Sequence, residues 1–161
     1  CQGAATSTTV IPTATLATAP LESTTGENFS LNVTGAIELT IPPGMASIGR
    51  DIATGEGLAL TISSPPEDDN TFTFTLFMPD DIQPGDYTLT TGSASEGEVT
   101  AQVTYFIGEN LSMLVYDSNF QGTLTLTETG ERFSGTLTAS GMAADGTAVN
   151  IDGGFTGLTQ E

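Results

Sequence analysis

Thr71-Phe72-Thr73-Phe74-Thr75-Leu76-Phe77-Met78 is the stretch that decides the fold. Phe72, Phe74, Leu76 and Met78 alternate with Thr71, Thr73, Thr75 and Phe77. A period of two sends successive side chains to opposite faces of an extended strand. Threonine suits the second face, being β-branched and polar at once. The rhythm continues on both sides of this stretch. Towards the N-terminus Leu58, Leu60 and Ile62 make one apolar face, and Phe29, Leu31 and Val33 another. Ile37, Leu39 and Ile41 resume the parity of Phe29–Val33 after Gly35, which reads as one strand with a bulge or kink at the glycine. Pro42, Pro43 and Gly44 end it.

Towards the C-terminus, Pro79 to Asp86 (PDDIQPGD) is dense turn chemistry. Tyr87 and Leu89 start a strand; Val99, Ala101, Val103 and Tyr105 make the next, and Met113 and Val115 a short one. Gly122 to Thr127 and Phe133 to Ala139 read as a hairpin across Glu128 to Arg132. Val149, Ile151 and Phe155 close the series. No window carries a helical apolar stripe with caps; Ala139 to Val149 comes nearest, and Gly141 and Gly146 interrupt it. The sum is about nine strands in an all-β, antiparallel domain, a β-sandwich or partly open barrel. Sequential hairpins favour a meander. One apolar face per strand supplies roughly 25 core residues, each contributing about 1.5–3 kcal/mol when fully buried. Gly57-Leu-Ala-Leu-Thr, Gly122-Thr-Leu-Thr-Leu and Gly135-Thr-Leu-Thr-Ala share one turn-then-strand grammar.

Residues 1–27 differ from the β-domain of 28–161. Gln2 to Glu27 is mostly Thr, Ala, Ser and Pro, with few large apolar side chains. Such a segment buries too little surface to offset its ordering entropy and reads as an extended linker. Val10, Pro12, Ala14 and Leu16 alternate with polar or small residues, the pattern of a strand given to a neighbouring subunit. Pro12 and Pro20 argue against a long central strand, so the linker reading is preferred.

Charge excludes whole classes of partner. Twenty acidic residues face two cations, Arg50 and Arg132, for a net charge of −18. Nucleic acid and anionic bilayer surfaces are repelled; divalent cations and basic proteins are attracted. The chain has no His and no Lys, and its one cysteine is Cys1. Nucleophile–histidine systems, His-based metal catalysis and lysine chemistry are closed to it, as is an intrachain disulfide. Carboxylate chemistry remains open, with Glu38 and Asp117 near strands as the pair that a glycosidase would need. The absence of Trp removes the usual sugar platform, and the chain is read as not an enzyme. Calcium is the one cofactor considered, through Glu67, Asp68, Asp69 and Asn70 in one turn and Asp80, Asp81 and Asp86 in another. Solvated acidic turns are the competing explanation. Tyr87, Tyr105 and Tyr116 are the aromatics to examine for ligand binding.

Three stretches carry a family resemblance: Leu76 to Gly92 (LFMPDDIQPGDYTLTTG), Gly122 to Ser140 (GTLTLTETGERFSGTLTAS) and Gly146 to Phe155 (GTAVNIDGGF). In this they resemble bacterial surface lipoproteins with a small all-β domain behind a lipid-anchored linker. The resemblance implies that Cys1 is the acylated residue left after signal-peptide removal. One acyl chain binds a membrane marginally and two or three anchor stably. Gln2 is not the Asp that marks inner-membrane retention in such proteins, so outer-membrane or cell-surface placement is expected. The resemblance implies no activity. The expected function is a structural or adhesive envelope module working by protein contact. The alternatives are a pilin-like fibre subunit using its N-terminal segment for strand exchange, and a glycan- or ligand-binding domain.

Overall fold

The computed structural model describes residues 28–42, 45–51, 56–65, 70–107, 110–115, 120–143 and 146–160. They form eleven strands and, among the described residues, no helix: β1 (Asn28–Gly35), β2 (Leu39–Ile41), β3 (Ala46–Arg50), β4 (Leu58–Ser63), β5 (Asn70–Met78), β6 (Gly85–Thr90), β7 (Glu98–Ile107), β8 (Asn110–Val115), β9 (Gln121–Glu128), β10 (Arg132–Met142) and β11 (Ala148–Thr159). All belong to one curled sheet in the order β2-β1-β11-β10-β9-β6-β7-β5-β4-β3, with β8 on β7. β11 pairs with β1 over Val149–Thr156, then runs past it, and Gln160 bridges to Ile48 of β3. The last strand of the sheet thus meets the tip of an inner one, and the result is a partly open barrel.

The two-residue rhythm is what fills it. Phe72, Phe74 and Leu76 are fully buried, with Leu60 and Ile62 beside them on β4 and Ala101 and Val103 on β7. All the buried apolar side chains among the described residues join one core. The outward positions form polar rows across the strands. Thr88, Thr123, Thr138, Asp152, Asn32 and Thr40 stand opposite one another in register through β6, β9, β10, β11, β1 and β2. Thr40 donates a hydrogen bond to Asn32 Oδ1 at 3.1 Å, tying two members of the row together.

Curling brings neighbouring backbones so close that glycine is required at certain steps. A Cβ on Gly153 of β11 would meet the carbonyl oxygen of Ser30 on β1, with Leu31 Cδ1 at 2.8 Å. One on Gly122 of β9 would stand 2.9 Å from Ala139 Cα on β10. The two Gly-Thr-Leu-Thr strings pair with each other, Leu124 opposite Leu137 and Gly122 opposite Ala139.

Three sequence expectations are corrected. Gly35 is not a bulge within one strand: the chain reverses there, and Val33 of β1 pairs with Leu39 of β2. Gly35 takes φ +107°, and a Cβ on it would strike the Ala148 carbonyl. The parity survives because a hairpin returns both strands to the same face. β3 is an additional strand, with Ile48 as its one fully buried side chain. The sheet is also not a pure antiparallel meander. β6 and β7 run parallel through Thr88↔Glu98, Leu89↔Val99 and Thr90↔Thr100. Parallel neighbours usually need a long crossover; here the overlap is so short that the loop 91–97 spans it. That loop is held by Ser95 N–H donating to Glu98 Oε2 at 2.8 Å and Thr100 Oγ1 donating to the Gly92 carbonyl at 2.9 Å.

Candidate functional site

The residues singled out from sequence fall in different places. Cys1, the rest of 1–27, Glu67, Asp68, Asp69, Tyr116 and Asp117 lie outside the described residues. Asn70 opens β5. Asp80, Asp81 and Asp86 are exposed, between β5 and β6 and at the start of β6. Among the described residues no three acidic side chains gather as a metal-binding group. The turn is organised by other bonds. Ile82 is buried beneath it, and its N–H donates to the Pro79 carbonyl at 3.2 Å. Gln83 Nε2 donates to the Asp81 carbonyl at 2.8 Å, and Tyr87 Oη donates to the Gln83 carbonyl at 2.7 Å. Asp86 accepts a bond from Thr125 Oγ1 at 2.7 Å on the facing strand β9.

Tyr87 and Tyr105 are half-buried and packed against the core. The Tyr87 hydroxyl braces its own turn, and neither ring lines the clefts described next. Glu38 is exposed in the β1–β2 turn, where its carboxylate accepts the Gly35 N–H at 3.2 Å. It therefore serves the turn that replaces the expected bulge.

Two clefts open on the barrel end where β4 begins and β5 finishes. One, of about 680 Å³, lies among Asp51, Glu56, Leu58, Phe77, Met78 and Asp80. The other, of about 630 Å³, lies among Leu58, Asp80, Glu131, Phe133 and Gln160. They share Leu58 and Asp80 and so are adjacent. Local sequence explains the placement. Gly57 turns the chain into β4 with φ +89°, and a Cβ there would stand 2.6 Å from the Met78 carbonyl. Glycine thus lets the start of β4 press on the end of β5. Asp51 N–H donates to the Gly57 carbonyl at 3.1 Å, closing the loop from β3. Glu131 rides the β9–β10 turn beside Gly130, whose φ is +103°. At the root of that hairpin Ser134 is buried; its Oγ donates to Glu128 Oε2 at 2.8 Å and accepts the Gly157 N–H at 3.0 Å.

Both depressions are shallow, with acids at their edges and only the margins of core side chains beneath. Leu58, Met78 and Phe133 are buried, and Phe77 is half-buried. Asp80, Glu56 and Glu131 are exposed, while Asp51 is buried. Asp51 and Glu56 have partners within the fold. No cation is among the lining side chains, although Arg50 and Arg132 are exposed next to Asp51 and Glu131 in the chain. Glu56, Asp80 and Glu131 are the exposed acids of this barrel end, and a surface of one sign favours positive charge.

A third, shallower groove of about 450 Å³ crosses β6, β9 and β10, among Thr88, Gln121, Thr123, Thr138 and Ser140. Its chemistry is hydroxyl and carboxamide hydrogen bonding without charge. Sequence reading did not find the double cleft, because its members lie far apart in the chain. Acidic residues flanking Gly57 and Gly130 at strand starts were the available signal. Compared with protein-family models, curated proteins and solved structures, the chain matches none.

Proposed function

We propose that this chain is a non-enzymatic interaction module of the bacterial cell envelope. Acyl chains on Cys1 hold it to the outer membrane or cell surface, residues 2–27 act as the tether, and the β-domain makes the working contact. The observation that carries the contact reading is the set of exposed acids, Glu56, Asp80 and Glu131, at the glycine-locked end of a curled sheet. Strand ends and tight turns hold such side chains better than long loops do. Composition supports the non-catalytic part: His, the commonest acid–base side chain, and Lys are both missing. The Thr/Ala/Pro-rich run after Cys1 and the lipoprotein resemblance support the anchor.

Fractionation of the native host tests this reading. The full chain should partition with envelope membranes and leave them on detergent extraction, and Cys1→Ala should release it. A Cys1→Ala chain that stays membrane-bound removes the anchor from the account.

A further inference from the structure

We infer that the β1–β11 seam is a directional clamp for tension entering the domain at Asn28: strong against a load held at the opposite barrel end, weak against one held at the acidic end. This goes beyond the interaction-module reading and rests only on how the chain is connected. Any pull on residues 1–27 reaches the fold at Asn28, the first residue of β1. β1 lies between β2 and β11 and pairs with β11 at eight positions, from Asn28↔Thr156 to Gly35↔Val149. Its Phe29, Leu31 and Val33 are buried in the core. The antiparallel register puts Asn28 at the end where β11 finishes, near the Thr159↔Arg132 pair and the bridge from Gln160 to Ile48. Glu131 precedes Arg132 in the β9–β10 turn, so tension enters at the acidic end of the barrel.

Two directions of load then differ in kind. With the domain held at the opposite end, at the Met142↔Ala148 pair, a pull on Asn28 runs along β1, and β1 must slide past β11. A slip of one residue, about 3.4 Å, breaks all eight pairs together and would turn the buried side chains of β1 to the outer face. With the domain held at the acidic end, the two strands are drawn apart from the Asn28↔Thr156 pair, and the same pairs open one after another. Similar work spread over eight steps instead of one lowers the rupture force several-fold. A partner held at Glu131 therefore loads the seam in its weak direction.

The test uses the full chain, with Cys1, its one cysteine, as a thiol handle. A second handle is introduced singly, by Ala148→Cys or Met142→Cys at the far end and by Gln160→Cys at the acidic end, all exposed positions. Circular dichroism confirms that each variant folds, and the two far-end handles stand in for each other. Optical-tweezer pulling at one loading rate should give a rupture force at least about twofold higher with a far-end handle than with the handle at 160. Gly153→Ala, whose Cβ would crowd Leu31 of β1, should lower the far-end force, and Gly154→Ala should leave it unchanged. Equal forces from the two ends, or a higher force with the handle at 160, overturn the clamp. A far-end force indifferent to Gly153→Ala removes the β1–β11 seam as the place of resistance. These measurements involve neither membrane nor partner, so failure of the clamp and failure of the envelope reading are told apart.

Discussion

Replacing Gly153 by alanine should break the seam between β1 and β11, while the same change one residue later should not. The added Cβ at 153 points into backbone: it would meet the Ser30 carbonyl, with Leu31 Cα at 3.1 Å and Leu31 Cδ1 at 2.8 Å. Carbon atoms are comfortable at about 3.5–4.0 Å, so β1 must retreat by roughly 0.5–1 Å along this contact. Leu31 is fully buried and paired on both sides, with Gly153 and with Ile41, so neither rotamer change nor exposure relieves the clash. Overpacking of this kind costs about 3 kcal/mol, the upper end of the usual range, since backbone must move. Alanine returns about 0.4–1 kcal/mol by restricting the unfolded chain. The net loss of about 2–3 kcal/mol lowers Tm by roughly 8–12 °C for a domain of this size. At Gly154 a Cβ would lie 3.4 Å from the Gly135 carbonyl and 3.5 Å from Thr136 Cγ2, near-ordinary contacts, so Gly154→Ala should be neutral within about 0.5 kcal/mol. Thermal unfolding followed by circular dichroism reads both. A Gly153→Ala protein melting within about 2 °C of the parent, or a Gly154→Ala protein falling as far as its neighbour, refutes the pairing.

Other expectations follow from the same contacts. Ser134→Ala leaves the Gly157 N–H without its acceptor and should cost about 1–2 kcal/mol in denaturant unfolding, whereas Glu128→Gln, at an exposed carboxylate, should cost less than about 0.5 kcal/mol. Phe74→Ala empties a fully buried place between β4 and β7 and should cost about 3–5 kcal/mol, read as a lowered denaturant midpoint with an unchanged slope. Gly49→Ala meets open space on β3 and should leave Tm unchanged or raised. Mass spectrometry of the native protein should find Cys1 carrying a diacylglyceryl thioether with two or three acyl chains.

Strong alternation was legible in strands paired on both sides. Phe72, Phe74, Leu76 and Met78 are all buried, and the 9–10 hairpin turns where Thr129, Gly130 and Glu131 stand between the strands. Weak strands were not legible. β3 carries a single fully buried residue, Ile48, which is too little to register as a period. Gly35 misled because a kinked strand and a tight hairpin leave the same parity behind; only pairing partners separate them, and those are non-local. The parallel β6–β7 pair was hidden for a related reason: loop length alone implied an antiparallel turn, and the three paired positions that decide otherwise are a tertiary fact. At the candidate site, sequence reading weighted acids clustered along the chain, Asp80, Asp81 and Asp86. Folding instead brings Asp80 near Glu131, Asp51 and Glu56 from three connections, β3–β4, β5–β6 and β9–β10.

The acidic barrel end around Asp80 and Glu131 is, on the proposed function, where this protein meets its partner. A photo-reactive side chain placed at Glu131 in the full chain, expressed in the native host and illuminated on whole cells, tests it directly. A discrete cross-linked adduct is expected, its attached peptide rich in Arg or Lys, with no comparable adduct from the same probe at Asp152. Adducts of equal yield at both positions, or none at Glu131 while Asp152 captures a partner, would contradict it.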